Sequence, residues 1–148
     1  MTFDIKKIPA YKRALSFFHP VWIKNEVGEI NPHLELLLYK DRIQLATEDA
    51  LYSDGDQYTP AIAVVNDLKD FLPEVKKMLI LGVGLGSMVQ IMRKGGYSPV
   101  FALVELDKIV LRLALEYLAQ DKGARLEPFC EDAGVFMAKS KDQYDPSL

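Results

Sequence analysis

Three glycines and one carboxylate are the residues of this chain whose spacing best supports ligand chemistry. Gly82, Gly84 and Gly86 follow a short apolar run, and Glu105 ends the next apolar run. Glycines in a turn between a strand and a helix let a ligand approach the backbone, where the helix presents free N–H groups. A carboxylate at the end of the neighbouring strand can accept hydrogen bonds from the two hydroxyls of a ribose. The pattern predicts a nucleoside site. The structural alternatives are that the glycines only form a tight turn and that Glu105 is a solvated residue at a strand end.

The glycine spacing favours an adenosyl group over a dinucleotide. The pyrophosphate-binding pattern G-x-G-x-x-G needs its third glycine where this chain has Ser87. A dehydrogenase is therefore the least favoured enzyme class.

Further polar residues follow other predicted elements. Asp132 follows an apolar run, where it could accept a hydrogen bond from an adenine amino group, with Ala133 leaving room for the base. Asp132 could equally cap the next helix, and Asp107 is expected to cap the helix that it precedes. Tyr58 lies just before a helix beside the expected pocket, where it either contacts substrate or belongs to a solvated turn.

Composition excludes several classes of protein. The 148 residues suit one domain, or a small domain with an N-terminal appendage, and the net charge of −3 includes no basic block that would favour nucleic acid. The single cysteine, Cys130, fits a reducing cytoplasm and is expected to be a small buried residue on a strand. His19 and His33 are isolated, so no metal site is expected. The N-terminus lacks a signal-peptide core and no apolar run is long enough to cross a membrane, which predicts a cytoplasmic protein without a membrane partner.

The apolar pattern divides the chain into an N-terminal β-rich segment, residues 1–56, and an α/β segment, residues 57–148. The first segment is predicted to be an antiparallel meander in which Leu34–Leu38 also fits a helix, followed by a polar loop over Tyr52–Gln57. Its β-like runs are Phe17–Ile23, His33–Tyr39 and Arg42–Ala46.

The second segment alternates strands and helices, which indicates a parallel sheet with right-handed crossovers. Thr59 and Pro60 are expected at the N-cap and first position of its first helix. The predicted strands are Lys77–Leu81, Val100–Glu105 and Arg125–Cys130, with another beginning at Tyr144-Asp145; the predicted helices are Thr59–Phe71, Ser87–Lys94, Lys108–Ala119 and Ala133–Lys139.

From Leu51 to Asp145 the chain resembles the polyamine aminopropyltransferases, the spermidine synthase family, within the S-adenosylmethionine-dependent methyltransferase fold class. The N-terminal meander matches the layout of that family. The resemblance rests on Asp56-Gln57-Tyr58, Leu79–Ser87, Val104-Glu105-Leu106-Asp107, and Glu131-Asp132-Ala133 with the later Tyr144-Asp145. It implies an incomplete Rossmann-like methyltransferase fold preceded by a small antiparallel meander.

Members of that family transfer an aminopropyl group from decarboxylated S-adenosylmethionine to putrescine or a related amine. The resemblance implies S-adenosylmethionine or its decarboxylated form as a substrate, possible use of a polyamine, and no metal. By resemblance, the residues that line the nucleoside are Gly82, Gly84 and Gly86, the ribose contact is Glu105, the adenine contacts are Asp132 and Ala133, and Tyr58 lies by the transferred group.

Three departures from the family pattern weaken the expected chemistry. The acid of the family's glycine loop, which helps to hold the aminopropyl amine, is Leu85 here, and the family's Y-H-E is Tyr58-Thr59-Pro60. The family's catalytic aspartate would follow Tyr144-Asp145 and lies beyond residue 148, so no catalytic residue is assigned. We expect a nucleoside-binding protein that is inactive in this shortened form. The alternatives are a small methyltransferase and a non-enzymatic assembly or regulatory subunit.

The strand Lys77–Leu81 is central in the complete fold, so its edge is expected to be exposed in a chain that ends at Leu148. Because an apolar edge strand pairs readily with another chain, we expect a homo-oligomer or a complex with a second polypeptide. Light scattering at micromolar concentration is expected to show a mass above that of one chain, and a monodisperse monomer would contradict this.

Overall fold

In the computed structural model, which describes residues 5–140, the chain forms two β-sheets and five α-helices. The expected strand at Tyr144-Asp145 lies outside the described residues. The first sheet is antiparallel, in the order β1 (Val21–Glu26), β2 (Leu34–Tyr39), β3 (Arg42–Ala46) and β4 (Leu51–Asp54). The second is parallel, in the order β5 (Lys77–Leu81), β6 (Val100–Glu105) and β7 (Arg125–Cys130). The helices are α1 (Ala10–Leu15), α2 (Thr59–Leu68), α3 (Ser87–Lys94), α4 (Lys108–Leu118) and α5 (Ala133–Lys139). The predicted α/β class, with a meander before a parallel sheet, is confirmed.

Strand β2 has the alternation that a half-buried strand requires. Leu34, Leu36 and Leu38 are buried on one face, whereas Glu35 between them is exposed. Alternation with a period of two rules out the helical alternative for this segment. The turn into β3 has positive φ at Lys40 and Asp41, as a tight two-residue hairpin turn of this kind needs.

The prediction of a polar loop over Tyr52–Gln57 was wrong for its first half, which forms β4. The strand pairs with β3, and the carboxylate of Asp54 accepts hydrogen bonds from Arg42 at 3.2 Å and from Gln44 at 3.0 Å. Polar residues therefore find partners across the sheet, a long-range effect that local propensity does not contain.

Helix boundaries differ from the prediction at a few residues. The N-cap of α2 is Tyr58, with no side-chain capping bond, so the prediction of Thr59 as N-cap was wrong by one residue. The prediction that this helix ends at Phe71 was also wrong, because α2 ends at Leu68 and a separate 3-10 turn forms at Leu72–Glu74. Phe71 lies between the two and is exposed. Helix α1 was not predicted. None of its side chains is fully buried, and its sequence lacks the clear apolar stripe that would have indicated a helix.

Helix α4 packs against the cores of both sheets. Val110 and Leu113 join the core of the antiparallel sheet, whereas Leu111 and Leu118 join the core between the helices and the parallel sheet. This explains the apolar residues on more than one face of the helix. Leu85, from the turn after β5, is 2% exposed and also packs in the core of the antiparallel sheet.

Asp107 ties the β1–β2 connection to the start of α4. Its Oδ2 accepts a hydrogen bond from the N–H of Ile30 at 2.9 Å, and its Oδ1 accepts from the first turn of the helix, as predicted for a cap. Burial raises the pKa of Asp107, but backbone N–H groups of Ile30, Glu29 and the first turn of α4 together bring that pKa below its ordinary value. Gly28 lies against the same carboxylate, since a Cβ there would be 2.4 Å from Oδ2.

Truncation of Leu85 tests the attachment of the glycine turn to the antiparallel sheet. Leu85→Ala is expected to lower the free energy of unfolding by about 2–5 kcal/mol, because it removes buried contacts and leaves a cavity. Leu15→Ala is the matched control, because Leu15 is 44% exposed and its loss should cost less than about 1 kcal/mol. Urea denaturation measures both, and equal losses would contradict the anchoring role of Leu85.

Neutralising Asp107 tests the tie between the β1–β2 connection and α4. Asp107→Asn is expected to cost about 1–3 kcal/mol at pH 7, because an amide cannot accept from both sets of N–H groups. A carboxyl whose folded pKa is depressed stabilises the fold above its unfolded pKa and loses that contribution as pH falls through the folded pKa. The wild type should therefore lose more stability than the variant as pH falls below about 4.

The control for this substitution is Asp132→Asn, at an exposed N-cap where asparagine serves equally well. It should change the free energy of unfolding by less than about 0.5 kcal/mol. Parallel acid-unfolding curves for the wild type and Asp107→Asn would show that the Asp107 charge does not stabilise the fold.

Candidate functional site

The turn between β5 and α3 carries three glycines in the left-handed backbone region. Gly82, Gly84 and Gly86 have φ values of +77°, +57° and +83°. Residues with a side chain rarely adopt this conformation. The turn therefore depends on glycine at each of the three positions, and α3 begins directly after it at Ser87.

The three glycines meet different surroundings. A Cβ at Gly84 would lie 2.4 Å from Ser53 Oγ, and a Cβ at Gly86 would lie 2.5 Å from Leu118 Cδ1. A Cβ at Gly82 would meet nothing within 4 Å. Close packing within the protein thus accounts for Gly84 and Gly86, whereas Gly82 borders open space.

Strand β4 is held against this turn by two serine hydroxyls. The N–H of Leu85 donates to Ser53 Oγ at 2.8 Å, and the N–H of Asp54 donates to Ser87 Oγ at 3.3 Å. Both serines are buried. These contacts bring Tyr52 of β4 beside the glycines.

Glu105 lies at the end of β6 with its carboxylate held by two backbone groups. Its Oε2 accepts from the N–H of Val83 in the glycine turn at 2.9 Å, and its Oε1 accepts from the N–H of Asp107 at 3.1 Å. The parallel pairing of β5 with β6 places the two strand ends side by side. The carboxylate is therefore oriented toward the glycine turn by the fold itself.

A cleft of about 370 Å³ opens over this arrangement, and we call it the glycine cleft. Its volume is in the range typical of small-molecule sites, and its wall combines apolar side chains with a few polar groups. The lining residues are Ile30, Asn31, Leu34, Tyr52, Tyr58, Gly82, Gly84, Glu105, Leu106, Asp107 and Val110.

A smaller cleft of about 210 Å³ adjoins the glycine cleft, and we call it the side cleft. Tyr52, Tyr58 and Gly82 line both clefts, so Tyr58 lies where the two meet. Its contact with a ligand stays a prediction.

A third depression, the polar cleft, has a volume of about 450 Å³ and shares no lining residue with the other two clefts. Its cations are paired with carboxylates: Arg93 binds Asp121 through two nitrogens at 2.7 and 3.1 Å, and Lys94 pairs with Asp56. Arg42 is also paired, with Asp54. The ion pairs join α3 to the loops that follow α4 and β4, and β3 to β4, and they leave no unpaired cation among these three.

The structure brings together four of the predicted site residues and separates the other three. Tyr58, Gly82, Gly84 and Glu105 line the glycine cleft, but Gly86, Asp132 and Ala133 do not. Asp132 accepts a hydrogen bond from the N–H of Val135 at 3.0 Å and caps α5. The assignment of these residues to nucleoside and adenine contacts stays a prediction.

The expectation that Cys130 is buried was wrong. Cys130 is exposed, because it is the last residue of β7 and this strand forms one edge of the described sheet. Its Sγ lies 3.8 Å from the carbonyl oxygen of Leu106.

Several lining residues of the glycine cleft were missed by the sequence analysis. Ile30 and Asn31 reach the cleft because Asp107 holds their loop, and Tyr52 reaches it because β4 packs on the glycine turn. Leu106 carried a usable signal in the sequence, since it follows Glu105 directly. The other contacts depend on residues distant in the chain.

Within residues 5–140, no group of three or more His, Cys, Asp or Glu side chains is placed to hold a metal ion. No helix in that range is long and apolar enough to cross a membrane.

Comparison with known proteins relates this fold to two solved structures. No protein-family model and no curated protein sequence matches the chain. Spermidine synthase from Thermotoga maritima matches with a TM-score of 0.67 and 20% identity over 86% of this chain and 45% of that chain. A spermidine synthase in complex with the transition state analogue AdoDATO matches with a TM-score of 0.67 and 21% identity over 86% of this chain and 46% of that chain. The protein thus spans less than half the length of these structures, and over that part it has the spermidine synthase fold.

Proposed function

We propose that this protein is a spermidine synthase-like binder of S-adenosyl nucleosides, which it holds in the glycine cleft. The observation that carries the proposal is the Glu105 carboxylate, held at the end of β6 beside the open face of Gly82. The likeness in fold to a spermidine synthase studied with a transition state analogue supports the same ligand class.

Glu105 is suited to a ribose diol because each of its carboxylate oxygens can accept a further hydrogen bond. Each oxygen accepts one backbone N–H, at 2.9 and 3.1 Å, and a carboxylate oxygen can accept more than one hydrogen bond. Hydrogen bonds from hydroxyls to an ionised carboxylate are stronger than those between neutral groups. The 2′ and 3′ hydroxyls would each meet one oxygen.

The base of the nucleoside would lie against the apolar part of the cleft. Ile30, Leu106 and Val110 offer surface suited to a purine face, and Asn31 offers an amide to its edge. Asp132 and Ala133 follow β7, the neighbour of β6, and remain the proposed adenine contacts. Asp132 keeps acceptor capacity beyond its capping bond.

Aminopropyl transfer to a polyamine is the reaction that the resemblance implies, and we propose that the described residues bind the ligand without performing this transfer. The transfer needs a carboxylate to take a proton from the attacking amine. Glu105 is committed to the ribose in this proposal, and Asp107 is committed to backbone N–H groups.

The proposed setting of the protein is the cytoplasm, and the proposed assembly is a homo-oligomer through the edge of β5.

A methyltransferase is the second candidate, and the burial of Leu85 favours it. Leu85 packs in the core of the antiparallel sheet, so this position of the turn presents no carboxylate to a donor tail. Intact S-adenosylmethionine carries a carboxylate of its own, which an acidic turn would repel.

A non-enzymatic assembly or regulatory subunit is the third candidate. It would be favoured if a partner covered β5 while the glycine cleft stayed empty.

Calorimetric titration with methylthioadenosine and S-adenosylmethionine tests the proposal. The wild type is expected to release or absorb heat with at least one of them. Glu105→Gln should weaken binding at least about tenfold, or about 1.4 kcal/mol, because the charged acceptor is lost, and Glu105→Ala should weaken it further. Thermal unfolding checks that each variant is folded.

Glu127→Gln is the matched control, because Glu127 lies on β7, pairs with Lys77 and lines none of the three clefts. Its affinity should equal that of the wild type. Absence of heat with both nucleosides at millimolar concentration would overturn the proposal, as would unchanged affinity in a folded Glu105→Ala variant.

A further inference from the structure

The side cleft has a wall without formal charge. Among residues 5–140, every side chain that lines it is aliphatic, aromatic, hydroxyl-bearing or a thioether, and none is acidic or basic. The lining residues are Tyr52, Ser53, Tyr58, Pro60, Ala61, Val64, Ile80, Leu81, Gly82, Val83, Ser87 and Met88. Because Gly82 and both tyrosines also line the glycine cleft, a substituent on a nucleoside bound there can extend into the side cleft.

The acidic residues of the nearby loop are committed elsewhere. Asp54 binds Arg42 and Gln44, and Asp56 pairs with Lys94 and lines the polar cleft. The hydrogen bond from Lys94 holds the pKa of Asp56 below its ordinary value. Neither carboxylate lines the side cleft.

The hydroxyl groups of the two serines in the side cleft already accept backbone hydrogen bonds. Ser53 Oγ accepts from the N–H of Leu85, and Ser87 Oγ accepts from the N–H of Asp54. Both side chains are buried, and their bonds join β4 to the glycine turn. Each hydroxyl oxygen keeps one further acceptor position, but because both side chains are almost fully buried they offer little solvation to a cation.

We infer that the side cleft selects nucleosides with a small, apolar, uncharged 5′ substituent, a 5′-thioether, over sulfonium nucleosides with an amine or amino-acid tail. The inference rests on the proposed function, because it assumes a nucleoside in the glycine cleft. An ammonium group moved from water to such a wall loses hydration without gaining a counterion. A methylthio group is itself apolar and gains from the same transfer.

Within the side cleft, the two tyrosines oppose this selection. A cation over the face of Tyr52 or Tyr58 would be attracted by the aromatic ring. Tyr52 is 42% exposed, and such attraction is modest where water also reaches the cation. Loss of hydration by the amine in the tail therefore decides the preference.

The test compares three nucleosides on the full chain by calorimetry: methylthioadenosine, S-adenosylmethionine and decarboxylated S-adenosylmethionine. Methylthioadenosine is expected to bind at least about tenfold more tightly than either sulfonium compound. This comparison uses the wild type alone, so it does not depend on the folding of a variant.

A carboxylate placed in the side cleft should shift the preference toward the nucleoside with a cationic tail. Val64 of α2 lines the side cleft, and Val64→Asp is expected to raise the affinity for decarboxylated S-adenosylmethionine at least about tenfold relative to methylthioadenosine. Ala63→Asp is the matched control, because Ala63 is adjacent on α2, exposed and outside all three clefts. Its ratio of affinities should remain that of the wild type.

The outcomes separate this inference from the proposed function. If no nucleoside binds, the proposed function is overturned and the inference with it. If the sulfonium compounds bind as tightly as methylthioadenosine, or more tightly, the inference is overturned and the nucleoside site stands. An equal change in ratio for folded Val64→Asp and Ala63→Asp would also overturn it, because the effect would then be a general one of charge.

Discussion

The contact between β4 and the glycine turn is the constraint on which the rest of the structure depends. The buried hydrogen bond from the N–H of Leu85 to Ser53 Oγ joins the two sheets, and Gly84 permits it because a side chain there would collide with Ser53. Leu85 then packs into the core of the antiparallel sheet. A hydrogen bond shielded from water is electrostatically stronger than an exposed one, so this junction holds its geometry closely.

The same junction builds the glycine cleft. The turn that Leu85 anchors also presents the N–H of Val83 to Glu105, which orients the carboxylate at the end of β6. Asp107, two residues further on, holds the loop that supplies Ile30 and Asn31. The candidate ribose acceptor and the wall around it are thus positioned by backbone hydrogen bonds and packed strands, which hold a side chain more firmly than a loop can.

Charge is distributed unequally around the segment that joins β4 to α2. On one side, Asp54 pairs with Arg42 and Asp56 pairs with Lys94, and these pairs link β4 to β3 and the loop after β4 to α3. On the other side, the side cleft is lined by uncharged groups. Partly exposed ion pairs contribute little to stability, so their clearer consequence is to occupy carboxylates that could otherwise meet a cationic ligand.

The sequence by itself determined β5, β6, β7, α3 and α5 to the residue, because each is an apolar or amphipathic run bounded by local signals such as glycines and capping aspartates. It also brought Glu105, Gly82 and Gly84 to one site, since parallel strands end at the same edge of a sheet. Only the tertiary structure decided that β4 is a strand, that Cys130 is exposed and that, of the three glycines in the turn after β5, Gly82 is the one that faces open space. These features depend on contacts between residues far apart in the chain, and local sequence patterns carry no record of such contacts.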